Sequence, residues 1–92
     1  MESIVHYHIK ITGTVQGVGY RVNAKKVAEN LKINGWIRNE DDGTVTIEAE
    51  GKPENMEMFL KWCEQGPSNA IVEDMTYEKG DARALKAFNI NL

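Results

Sequence analysis

The stretch Gly13-Thr14-Val15-Gln16-Gly17-Val18-Gly19-Tyr20-Arg21 sets three glycines and an arginine between a strand-like run, Val5 to Thr12, and a helix-like run, Arg21 to Leu31. A glycine-rich turn feeding a helix start leaves backbone N–H groups unpaired and converging, with the positive end of the helix dipole behind them. The chemistry this suits is capture of an anion, phosphate above all. Arg21 stands in the first helical turn, where a cation is locally unfavourable unless an anion joins it. Its planar fork matches two phosphate oxygens at once. The commoner phosphate loops are excluded, because Gly17 and Gly19 begin G-x-G-x-x-G but the sixth position is Val22, and no Gly-Lys-Ser/Thr follows. The glycines alone fit an ordinary strand-to-helix turn equally well; Arg21 is what favours the anion site.

The elements that must position this loop can be read from periodicity. Val5, Tyr7, Ile9 and Ile11 alternate with His6, His8, Lys10 and Thr12 as in a half-buried strand. Tyr20, Ala24, Val27, Ala28 and Leu31 follow helical spacing. A second strand reads Gly35 to Asn39, and the Asp42-Gly43 turn leads into a third with Val45, Ile47 and Ala49 on one face. Pro53 opens a second helix whose Met56, Phe59, Leu60 and Cys63 share a face, and Gly66-Pro67 stops it. Ile71 to Lys79 reads as a strand with broken alternation, hence bulged, and Ala87 to Asn91 as a short final strand. The order predicts an α+β, ferredoxin-like split β-α-β sandwich, an antiparallel sheet with two helices on one face, as a single domain over residues 1–92.

Composition narrows the function classes. With 41% hydrophobic and 27% charged residues the chain fits an ordinary globular domain. No apolar run approaches membrane-spanning length, and the beginning of the chain shows no basic-then-apolar leader, so a cytoplasmic, monomeric protein with no membrane association is expected. The single cysteine allows no internal disulfide and agrees with a reducing compartment. A net charge of −3 and a pI near 5.3 argue against a nucleic-acid partner, which clustered Lys and Arg would attract.

Geometry suggests a companion for Arg21. The first helix carries the chain roughly 16 Å from the loop, and the strand to Asn39 brings it back by roughly 13 Å. Alternation puts Asn39 on the same face as Ile37, the helix-covered side. A polar side chain there costs about 1–3 kcal/mol if unsatisfied, so Asn39 either caps the Glu40 to Gly43 turn or has a task in the site.

G-T-V-Q-G-V-G-Y-R, followed by G-W-I-R-N-E-D-D-G-T-V and Gly51, resembles both motifs of the acylphosphatase family at the family's separation, and with Gly66-Pro67 the resemblance covers essentially the whole chain. It implies a hydrolase of the carboxyl–phosphate bond of small acyl phosphates. Arg21 would grip phosphate together with the backbone amides of Gln16, Gly17, Val18, Gly19, Tyr20 and Arg21, and Asn39 would orient the attacking water. The departing carboxylate has a pKa near about 4.3 and needs no general acid, and phosphoryl transfer asks mainly for positioning and charge stabilisation. No metal or other cofactor is expected. Three positions depart from the family's usual pattern: Asn23 stands where an apolar residue is common, Lys32 where the first helix often ends in Gly, and Ile37 is bulkier than usual.

Competing constellations are weaker. His6 and His8 form an i, i+2 pair without an evident third metal ligand, which reads as a solvated strand face. Glu48 and Glu50 fit an outward strand face, and Asp41 and Asp42 a turn. Trp36 and Arg38 on the open sheet face suggest a nucleic-acid platform, which the neighbouring Glu48 and Glu50 disfavour. Cys63 reads as a small buried hydrophobe. A second function stays open: a non-catalytic phosphate- or carbamoyl-phosphate-binding module similar to the acylphosphatase-like domain of hydrogenase maturation proteins. That domain is normally followed by zinc-binding cysteine pairs, which this sequence lacks.

Overall fold

The computed structural model describes residues 3–92. Seven elements run in the order β1 (Val5–Thr14), α1 (Tyr20–Asn30), β2 (Asn34–Asn39), β3 (Val45–Gly51), α2 (Pro53–Gln65), β4 (Ile71–Gly80) and β5 (Phe88–Asn91). In the sheet they are ordered β4-β1-β3-β2-β5. β1 and β2 are each antiparallel to the β3 between them. They are therefore parallel to one another, and α1 is their crossover: a split β-α-β unit whose two strands end at the same edge. α2 connects β3 to β4 across β1 in the same way.

Side-chain pattern decides which face is covered. Ile9, Ile11, Ile37, Val45, Ile47 and Ala49 are buried on the helix side of the sheet. They meet Tyr20, Ala24 and Ala28 of α1 and Met56, Phe59 and Cys63 of α2 in one core. Small residues at Ala24 and Ala28, four apart, let α1 approach closely. Phe59 and Phe88 meet edge to face at 6.0 Å; truncating a core Phe of this kind costs about 3–5 kcal/mol.

Several boundaries and one pairing differ from the sequence expectation. β1 continues through Gly13 and Thr14, because both still pair with β4. α1 begins at Tyr20, and β2 begins at Asn34. β5 lies parallel to β2, so the sheet is mixed rather than wholly antiparallel; the long return over residues 81–87 lets the chain reach β2 in that direction. The expected bulge is present: Thr12 pairs with Asp74 and Gly13 with Val72, leaving Glu73 of β4 as the extra residue.

The open face of the sheet corrects the solvated-face expectation. Relative exposure is only 1% for His6, 6% for Glu48 and 3% for Glu50. Directly across the strands, His6 faces Glu50 and His8 faces Glu48. His6 Nδ1 lies 2.8 Å from Glu50 Oε2 and Nε2 2.5 Å from Glu48 Oε1, while His8 Nδ1 contacts Glu48 Oε2. The backbone amides of Arg83 and Leu85 donate to Glu50 from the 81–87 return. Burial pushes both carboxyls up, but hydrogen bonds more than offset it, from His6 and His8 at Glu48 and from Arg83, Leu85 and His6 at Glu50. Both end below the usual carboxylate range. His6, Glu48 and Glu50 form a buried network rather than a wet surface, with the exposed His8 at its edge.

Candidate active site

Cross-strand register places the pieces. Ile11 of β1 faces Val45 of β3, and Val45 faces Asn39 of β2, so the three share one row and one face, the helix-covered one. Three residues beyond Ile11, after Thr14, the chain leaves the sheet into residues 15–19 and enters α1. The glycine loop and Asn39 therefore lie at the same end of the sheet, two strand spacings apart.

The loop's backbone fits an open turn. Gly17 and Gly19 have φ of 73° and 80°, and Gly19 is the N-cap of α1 without any side-chain cap. An L side chain at these φ values would be strained. The first turn of α1 carries no acidic residue. Among the described residues, the amides of Gln16 through Arg21 donate no hydrogen bond to the protein, and the half-buried Arg21 side chain has no acidic or hydrogen-bonding partner. Asn23 fixes the helix start by donating from Nδ2 to the Gly19 carbonyl at 2.8 Å, which accounts for a polar residue at that position.

Two further side chains hold the loop in place. Tyr20 is buried, donates its hydroxyl to the Cys63 carbonyl at 2.7 Å and packs on Trp62. Burial and the Cys63 contact drive its phenol far above the ordinary value. Cys63 is itself buried as expected, with its thiol pushed up to about 12 by burial. Gln16 reaches the other way, donating from Nε2 to Glu40 O at 2.8 Å and to Thr44 O at 2.9 Å. Sequence reasoning gave Gln16 only a backbone amide. The available signal was a long two-donor side chain in a loop otherwise made of small and apolar residues.

Asn39 ends β2 with its Oδ1 buried and without a hydrogen-bond partner. The turn that was one of its two possible tasks is closed by other groups: Asp42 Oδ1 accepts from the Thr44 amide and hydroxyl, Glu40 N donates to Thr44 O, and Gly43 N to Glu40 O. The Thr44 hydroxyl and amide hold the Asp42 carboxyl below its usual range, and the Thr46 hydroxyl followed by Arg38 does so for Glu40. On the open face Arg38 pairs with Glu40 at 3.0 Å and lies 5.0 Å over the Trp36 ring, so both open-face residues are engaged with one another. No helix among the described residues is long and apolar enough to cross a membrane.

Comparison with known proteins adds the family. Residues 7–90 match the family model described as Acylphosphatase. The acylphosphatase of Nocardioides sp. is 40% identical over 82 residues, covering 89% of this chain and 83% of that protein. The crystal structure of acylphosphatase from Bacillus subtilis superposes with a TM-score of 0.93 at 31% identity, covering 96% of this chain and 99% of that one. Full-length HypF, solved in a phosphate- and nucleotide-bound form, gives a TM-score of 0.92 at 27% identity, with this chain spanning 99% of its own length but 12% of HypF.

Proposed function

Because the chain belongs to the acylphosphatase family, enzymes of acyl phosphate hydrolysis, we propose a division of labour in its site: the amides of Gln16 through Arg21 and the Arg21 fork hold the phosphate, and Asn39 holds the water. The water oxygen bonds to phosphorus as the bond from phosphorus to the carboxylate oxygen breaks. The carboxylate leaves as an anion, since its conjugate acid has a pKa near about 4.3, and the water's proton passes to a phosphate oxygen. The converging amides and the guanidinium supply positive potential where the equatorial oxygens carry charge.

The observation that carries this reading is the buried Asn39 Oδ1 without a protein donor. An acceptor so placed takes a hydrogen from water and turns the water's lone pair away from itself. In a structure that closes its turn with Asp42 instead, a polar atom kept unsatisfied at a cost of about 1–3 kcal/mol has its explanation in such a task.

The reading needs no metal and no titrating side chain, and has the protein acting on a small substrate as a cytoplasmic monomer. Phosphate release from acetyl and benzoyl phosphate after prolonged EDTA treatment tests it. Release at the untreated rate is expected. A loss restored by a divalent cation would overturn the metal-free chemistry, and phosphate binding without any turnover would favour a non-catalytic phosphate-binding module of the same fold.

A further inference from the structure

We propose that the Gln16 side chain is a positioning residue for this reaction, clamping the phosphate cradle to the hairpin that carries Asn39 and so setting the distance between bound phosphorus and water. The inference rests on the roles proposed above for Arg21 and Asn39. Those two residues come from different elements. Ile11 and Asn39 occupy the outer places of a three-strand row, roughly 10 Å apart at ordinary strand spacing. Displacement at phosphorus tolerates little error: reacting atoms must meet at about 3–3.5 Å, and a 1 Å misplacement costs about 100-fold.

Nothing in the loop backbone enforces that precision. Tyr20 ties the far end of the loop to α2, away from the hairpin. Among the described residues, the hydrogen bonds that join residues 15–21 to residues 39–45 are the two from Gln16 Nε2. One goes to the carbonyl of Glu40, immediately after Asn39; the other goes to Thr44, immediately before Val45, the cross-strand partner of Asn39. Each carbonyl also accepts a backbone N–H within the turn, so Gln16 grips a turn that is already closed. Both amide hydrogens are spent on the clamp, and the side chain therefore acts through the backbone it holds rather than on substrate.

Steady-state kinetics on benzoyl phosphate, with inorganic phosphate as competitive inhibitor, tests the clamp in Gln16→Met and Gln16→Asn. The first keeps length without donors; the second keeps the amide one methylene short. In folded protein, checked by thermal denaturation, kcat is expected to fall about 10- to 100-fold while KM and the phosphate inhibition constant stay within about twofold. Adding Gln16→Met to Asn39→Ala is expected to slow the enzyme no further, because the clamp acts through Asn39. Unchanged kcat in either folded variant, or a double variant slower by the product of the two single effects, overturns the proposal. Arg21→Ala in the same assay separates the two layers. If it abolishes turnover while the Gln16 variants keep an unchanged kcat, the clamp alone is wrong; if it retains turnover, the assignment of the site falls and the clamp with it.

Discussion

A cation at the positive end of a helix dipole is destabilising by itself, and Arg21 sits there half-buried with no acidic residue in the first turn of α1. Its value lies in fork geometry, which an ammonium cannot reproduce. Arg21→Lys should therefore lower kcat/KM by about 100-fold or more and weaken competition by inorganic phosphate, whereas near-normal turnover would show that charge alone suffices. Arg21, the glycines and Asn39 could be singled out as candidates in the sequence because residue type and spacing suffice to suggest them. The Gln16 clamp could not, since its partners are main-chain carbonyls 24 and 28 residues away, and residue types do not reveal which carbonyls a fold will present. Nor did residue types alone show that Asp42 accepts the hydrogen bonds that close the turn after Asn39.

Among the elements, α1 ends in a way its sequence obscures. Ile33 N donates to Ala28 O and Lys32 N to Glu29 O, the paired bonds of a Schellman ending, with Lys32 at φ 57° where glycine is the usual residue. The left-handed conformation costs a non-glycine residue about 1–2 kcal/mol, and a glycine returns about 0.4–1 kcal/mol of that through the freer unfolded chain. Lys32→Gly should thus stabilise the protein by about 0.5–1 kcal/mol, a rise in Tm of several degrees at about 4–8 °C per kcal/mol for a domain of this size; a lower Tm would mean that the Lys32 side chain supports the helix end. Periodicity located both helices and the strands, and even the β4 bulge, because each leaves an alternation or a break in one. The parallel seat of β5 left no such mark: it depends on a return segment whose contribution is made by backbone amides at Arg83 and Leu85. For the same reason alternation assigned His6, Glu48 and Glu50 to the correct face but could not tell that the face is covered.

For the molecule as a whole, that covered face ties stability to pH, while the candidate site lies at the far end of the strands. Glu48 and Glu50 are held below the ordinary carboxylate range, so their contribution is complete above the unfolded value near about 4.3 and is lost as pH falls through the folded values. Denaturation midpoints should decline on acidification below about pH 4.5. Glu50→Gln should lower the midpoint at neutral pH and flatten that decline; an equally steep acid limb in the variant would place its origin elsewhere. Catalysis and stability are thereby expected to part company, and Asn39→Ala, with turnover and denaturation read on one preparation, decides whether Asn39 holds the water. Turnover is expected to fall by about 10²–10³-fold, with phosphate affinity and stability nearly unchanged because Arg21, the loop and the Asp42-closed turn remain. A variant that is destabilised yet hydrolyses acyl phosphate at close to the normal rate would contradict that role.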